Sequence, residues 1–239
     1  KVKLTIIQSK YYKVGDLYVV NGEPLGLVYE ISDGGAHGKV VALKAHRDLN
    51  LLYRTGLPYD EIHPEDPNNV GVIARSETDG QENMKAYKQI PDWKTHYPVA
   101  AYVSDLNDEN GNPGWYLPAI KEVQAMVGWI DGEVLSPDGE AGQEPSEAMK
   151  EKRKAINQLI VDNGGNEFYF YGYDVSFIID QTNAWEADYF NRIYTSTETD
   201  YQVHPMVFKF YLRNGWWETM HVYGDLAGSY GEVRPFLAF

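Results

Sequence analysis

Cysteine is absent from this chain of 239 residues. Disulfides, thiol nucleophiles and cysteine-bearing zinc sites are therefore excluded. The redox compartment stays open, because a cysteine-free chain suits any of them. Basic residues are scarce: 21 Lys and Arg stand against 35 Asp and Glu, a formal charge of −14. Nucleic acid and anionic membranes both require a basic surface, so neither is expected as a partner. No apolar run approaches the ~20 residues of a membrane span, and no membrane insertion by this region is expected. The six histidines never recur at i, i+2 or i+4, so no zinc-ligand pair is visible. No phosphate-binding Gly-x-x-x-x-Gly-Lys pattern occurs. The chain starts at Lys1 without a signal-peptide pattern. An export signal or lipid anchor is expected upstream.

What is present is aromatic: 19 Tyr, 8 Phe and 6 Trp. Such residues pack well on pleated surfaces and also make rigid binding contacts. Val2, Leu4 and Ile6 alternate with polar residues, a leader strand or linker over 1–11. A β-meander follows: Leu17 to Val20, the hairpin turn Asn21-Gly22, Leu25 to Ile31, the turn Asp33-Gly34-Gly35, and Lys39 to Leu43. Residues 46–78 are broken by Pro58, Pro64 and Pro67 and read as a loop insertion. Asp79 caps a first helix carrying Met84 and Tyr87 inward. Tyr97 to Val103 is apolar and expected to be extended. Asp105 to Pro113 reads as an acidic turn.

The organising stretch is Gly114-Trp115-Tyr116-Leu117-Pro118-Ala119-Ile120-Lys121-Glu122-Val123. It predicts a helix with Pro118 at its first position and Gly128 as its stop. Residues 131–147 contain Asp131, Glu133, Asp138, Glu140, Glu144 and Glu147 and no cation, which reads as a solvated loop dispensable for folding. Ser146 caps a further helix with Met149, Ile156, Leu159 and Ile160 on its buried stripe. Glu167 to Ile179, Met206 to Leu212 and Trp216 to Tyr223 read as strands.

The motif Gly-Trp-Tyr-Leu-Pro-Ala-Ile-Lys-Glu-Val resembles the Gly-Trp-x-Leu-Pro-x-x-x-Glu-Leu signature of a bacterial surface-domain family with a C-type-lectin-like fold. That family includes the C-terminal domain of bacterial collagen-like adhesins. Tyr194-Thr195-Ser196-Thr197-Glu198 resembles its Tyr-Trp-Ser-Ser-Thr-Glu strand, with Thr195 where Trp is usual. Val233-Arg234-Pro235 resembles its closing strand, and Asp79-Gly80-x-x-Asn83-Met84 its first helix. The resemblance implies an α+β, C-type-lectin-like domain over 12–239. It would have twisted antiparallel sheets, two family helices, one inserted helix and insertions at about 46–78 and 131–165. It implies an exported, non-catalytic adhesin or ligand-binding module on the bacterial surface or outer membrane, a secreted lipoprotein held by an upstream anchor. Its ligand would be a glycan or a host or matrix protein; a tip or cap module of a larger surface protein is the alternative. A monomer without cofactors is expected. Related formylglycine-generating enzymes need cysteine chemistry that this chain lacks.

Three further chemistries have candidate residues in the chain. Asp105, Asn107 and Glu109 offer oxygen ligands for calcium, but Asn110 stands where an EF-hand needs glycine, and a hydrated turn is preferred. Gly228-Ser229-Tyr230-Gly231 lacks the first glycine of a nucleophile elbow. Glu186 with Asp188, or Glu198 with Asp200, are near pairs that 35 acidic residues produce by chance. The candidate ligand-binding residues are Trp217, His221, Tyr223, Trp185, Tyr189 and Tyr230. Strand alternation puts Trp217, His221 and Tyr223 on one face, either a stacking surface or the cover of a second small core.

Overall fold

A computed structural model describes residues 11–48, 51, 53, 74–110, 114–132, 146–169, 190, 192–198, 205–210, 217–221 and 231–239. The fold is α+β. Strands β1 (Leu17–Val20), β2 (Glu23–Ser32) and β3 (His37–Ala42) form the early meander. Asn21 (φ 52°) and Gly22 (φ 88°) close the first hairpin. A tight turn there needs positive φ at both positions, which Asn and Gly tolerate.

Among the described residues five α-helices follow: α1 (Gly80–Tyr87), α2 (Trp93–His96), α3 (Pro98–Asn110), α4 (Ile120–Asp131) and α5 (Glu147–Asp162). A second antiparallel sheet has the order β4 (Arg192–Glu198), β5 (Pro205–Phe210), β6 (Trp217–His221). The last strand, β7 (Phe236–Ala238), returns to the first sheet, whose order is β1-β2-β3-β7.

The closing segment stitches the molecule together. β7 lies antiparallel to β3, with Val40 opposite Leu237 and Val41 opposite Phe236. Its free side exchanges hydrogen bonds with Tyr116, both 2.9 Å. Just before it, Glu232 bridges Ile193 of the second sheet and Val233 bridges His46. Early and final strands therefore pair antiparallel in one sheet. Phe236 and Leu237 are wholly buried.

Residues 98–110 are helical, not an extended run and a turn. Pro98 stands at the first helical position, and Val99, Val103 and Leu106 fall at i, i+4 and i+7 on the core side. Strand-like Val and Tyr are thus overridden by packing. With α2 and α3, the helices among the described residues exceed the two family helices plus one insertion. Helix α4 starts two residues after Pro118, because the Pro118 carbonyl accepts the Ser196 N–H (2.7 Å) instead of a helical partner. It also passes through Gly128 and ends at Gly132 (φ 75°).

The extra turn of α4 has a cause. It places Asp131 inside the protein, where Arg153 of α5 donates two hydrogen bonds of 2.7 Å to its carboxylate. Arg153 is wholly buried and Asp131 is 6% exposed. Asp131 is therefore an anchor between helices and not part of a solvated loop. Helix α5 is capped as expected, with Ser146 Oγ accepting the Met149 N–H at 3.3 Å. The reading of 133–145 as a loop, most of the proposed 46–78 insertion and nearly all of the strand over 167–179 lie outside the described residues.

The signature motifs meet around β4. The N-terminal N–H groups of α4 have no partners within the helix. Ile120 N–H donates to Thr197 Oγ1 (3.0 Å) and Lys121 N–H to the Glu77 carbonyl (2.8 Å). Asn83 Nδ2 donates to Ser196 Oγ at 2.9 Å and to the Ser76 carbonyl at 2.7 Å. Tyr87 Oη donates to the Ser196 carbonyl at 2.6 Å.

Glu122 is the hub, 3% exposed. Its Oε2 accepts from Gly80 N–H (3.0 Å) and Ala119 N–H (2.9 Å). Its Oε1 accepts from Tyr116 Oη (2.8 Å) and Lys39 Nζ (3.0 Å). Gly80 must be glycine because a Cβ there would lie 2.3 Å from the Leu117 carbonyl oxygen. One carboxylate thus joins α1, α4, β3 and the Trp-Tyr-Leu-Pro segment.

Candidate functional site

The described surface contains an open groove of about 590 Å³, within the about 300–1,000 Å³ of small-ligand sites. Segments distant in sequence build it. The β1–β2 hairpin supplies Asn21, Glu23, Pro24 and Leu25, and the end of β3 supplies Ala42, Leu43 and Lys44. Helix α3 presents Tyr102 and Leu106, with Trp115 beside them. Asn163 and Gly164, just past α5, and Pro235 complete the wall.

Each wall is fixed from behind. Asn107 clamps the Trp115 backbone, accepting its N–H at 2.7 Å and donating to its carbonyl at 2.8 Å. His46 stacks on Tyr102 with centroids 4.2 Å apart. Asn163 is tied to the Leu159 carbonyl at 2.8 Å. Under the floor, Arg234 donates to the carbonyls of Ala42 and Leu43, both at 3.1 Å, and to that of Asn166 at 2.8 Å. Glu232 Oε1 accepts from Arg234 Nε at 2.7 Å, and Glu232 Oε2 accepts from Arg47 at 3.0 Å. The two guanidiniums also lie over aromatic faces, Arg234 on Phe168 and Arg47 on Tyr169. Burial pushes the Arg234 pKa down, and the Glu232 carboxylate opposes that shift.

The groove lining is chemically mixed. Tyr102, Trp115, Leu106 and the two prolines form an apolar strip, while Asn21, Glu23, Lys44 and Asn163 are polar. Glu23 and Lys44 are exposed, and neither makes an ion pair among the described residues. One charge of each sign makes the lining formally neutral, in a chain of charge −14.

The residues singled out from sequence lie elsewhere. Trp217 and His221 stand at the two ends of β6, opposite Phe210 and Met206 of β5. Four residues apart, the two positions fall on the same side of the strand. Trp185, Tyr189, Tyr223 and Tyr230 lie outside the described residues, as do Ser229, Glu186, Asp188 and Asp200. Sequence reasoning missed Tyr102, Lys44 and Asn163 because nothing local links three segments that only the fold unites. Trp115 was visible in the signature, but as an entry to a helix.

The oxygen-rich residues 105–110 are helical, not a turn. Asp105, on α3, is ion-paired with Lys94. Asn107 is committed to Trp115, and Glu109 belongs to the same helix. Among the described residues no group of three or more His, Cys, Asp or Glu is placed to hold a metal. Glu198 is 4% exposed, and its Oε2 accepts the Ala74 N–H at 3.3 Å. Tyr194, next to this strand segment, has its pKa raised to about 12 by burial, against the pull of Arg192.

No protein-family model and no curated protein matches the chain. Among solved structures, a fimbrial protein from Bacteroides ovatus ATCC 8483 is similar, with a TM-score of 0.52 and 14% identity. The alignment covers 95% of this chain and 49% of that one, so the chain spans about half the length of that protein. At this identity the likeness is one of fold alone: an α+β architecture that also occurs in a bacterial fimbrial protein.

Proposed function

We propose that this chain is a non-catalytic recognition module of the bacterial cell surface, with a C-type-lectin-like fold, that binds a glycan or a protein through the groove between the β1–β2 hairpin, α3 and the end of α5. The groove carries the reading: a volume suited to a small ligand, two aromatic side chains, and four polar side chains on rigid supports. The polar residues of the signature motifs do not compete for that role. Glu122, Asn83, Ser196 and Thr197 are buried and bonded to the backbone of neighbouring segments. Polar groups so engaged stabilise the fold rather than perform chemistry. The module acts as a monomer without a cofactor, exported and held at the surface by an anchor upstream of this region.

A second reading, an assembly module at the tip or cap of a larger surface protein, draws on the fold likeness to a fimbrial protein. An array of glycans and matrix proteins probed with the purified chain separates the two. Saturable capture by one class of ligand, lost on altering groove residues, supports recognition. Failure to capture any probe, with self-association at micromolar concentration, favours assembly and overturns the recognition reading.

A further inference from the structure

Resting on the recognition reading, we infer that the groove takes a neutral saccharide, read by side chains alone and without calcium. The first argument concerns the floor. The Ala42 N–H donates to Pro235 (2.9 Å) and the Leu43 N–H to Leu25 (3.0 Å). Their carbonyls accept from Arg234, and that of Leu43 also from Asn166 N–H at 2.9 Å. An extended peptide binds by adding main-chain hydrogen bonds to unpaired backbone. The floor has none to give, so selectivity falls to the side chains.

The second argument is the kind of side chain. A sugar ring presents an apolar C–H face and an equatorial rim of hydroxyls. For the first the groove presents the half-buried Tyr102, stacked on one side by His46, and the small part of Trp115, 8% exposed, that reaches its wall. Asn21, Glu23, Lys44 and Asn163 offer both donors and acceptors for the second. Asn21 sits in a hairpin that fixes its φ at 52°, so its carboxamide is held on a stiff support.

The third argument is charge. One Lys and one Glu leave the groove neutral, and the surrounding chain is acidic by 14 charges. A uronic or sialic acid polymer would meet like charge on approach. A single carboxylate among the lining residues is also too few to hold calcium, which takes six to eight oxygens. Recognition is therefore expected to persist in chelator.

The test is an array of immobilised neutral oligosaccharides, acidic oligosaccharides and matrix-protein peptides, probed with the full chain in EDTA. It is repeated with Lys44→Ala, Glu23→Gln and Tyr102→Ala, each checked for an unchanged melting temperature. Lys44 and Glu23 are exposed, so those two variants should fold even if Tyr102→Ala does not. The expected result is capture by neutral oligosaccharides in EDTA, weakened at least tenfold by the Lys44 and Glu23 variants. Capture of acidic saccharides alone, loss of capture in EDTA, or indifference to both variants would overturn the inference. Capture of peptides through the groove would overturn it too, yet leave the recognition reading standing. Capture of nothing would overturn both.

Discussion

Replacing Glu122 by Gln changes one oxygen to an amide and removes one charge. The carboxylate accepts four hydrogen bonds on two oxygens: Gly80 and Ala119 N–H on one, Tyr116 Oη and Lys39 Nζ on the other. Glutamine keeps a single acceptor. Whichever way the amide turns, its NH₂ faces two donors. If it faces Gly80 and Ala119, two buried backbone N–H groups lose their partner. If it faces Tyr116, that hydroxyl can rotate to accept, but Lys39 is left beside a donor. Each hydrogen bond to a charged group contributes about 1.5–3 kcal/mol. Two losses, softened by the hydroxyl, give an expected destabilisation of ~3–5 kcal/mol, comparable with the whole ~5–15 kcal/mol of a typical domain. Lys39→Met is the control. Its side chain is 28% exposed and the charge partly screened, so ~1 kcal/mol is expected. Urea unfolding followed by tryptophan fluorescence measures both at constant m-value. A Glu122→Gln loss below about 1 kcal/mol would refute the hub role.

Three further outcomes are expected. Gly80→Ala, which in an open helix adds up to ~1 kcal/mol of stability, should here cost ~1–3 kcal/mol, because the new methyl meets the Leu117 carbonyl at 2.3 Å; calorimetry reads the sign. Asp131→Ala should cost ~3–5 kcal/mol by removing the carboxylate that faces the buried Arg153 guanidinium, and urea unfolding checks it. Tyr194 sets an alkaline limit: below pH 10 it is protonated in both states, and between pH 10 and about 12 only the unfolded chain loses the proton. Stability should therefore fall across that window, by ~3 kcal/mol from this residue alone, with Tyr29, Tyr87 and Tyr116 shifted the same way. An unfolding free energy that stays flat from pH 10 to about 12 would contradict this.

The early meander was legible because its turns are chemical: Asn21-Gly22 and Asp33-Gly34-Gly35 demand positive φ, and alternation does the rest. The helix caps Asp79 and Ser146 were legible for the same local reason. Helix α3 was hidden because Tyr97 to Val103 is strand-like by propensity, and its helical stripe is recognised only when carried on to Leu106. The false start of α4 at Pro118 has a similar origin, since the Ser196 N–H that claims the Pro118 carbonyl is 78 residues away. Asp131 looked like one acid among many until Arg153 supplied a partner across the helix pair. The groove was least legible of all. Lys44, Tyr102 and Asn163 carry no shared motif, and the aromatic density of the second half drew attention to Trp217 and His221 instead.

Backbone amide NMR of the full chain, titrated with the tightest-binding neutral oligosaccharide from the array, tests the central claim most directly. Chemical-shift changes should concentrate on Asn21–Leu25, Lys44, Tyr102–Leu106 and Asn163–Gly164, and be unaffected by EDTA. Changes confined to Trp217–His221, or a titration that moves no amide, would contradict the assignment of the groove as the recognition site.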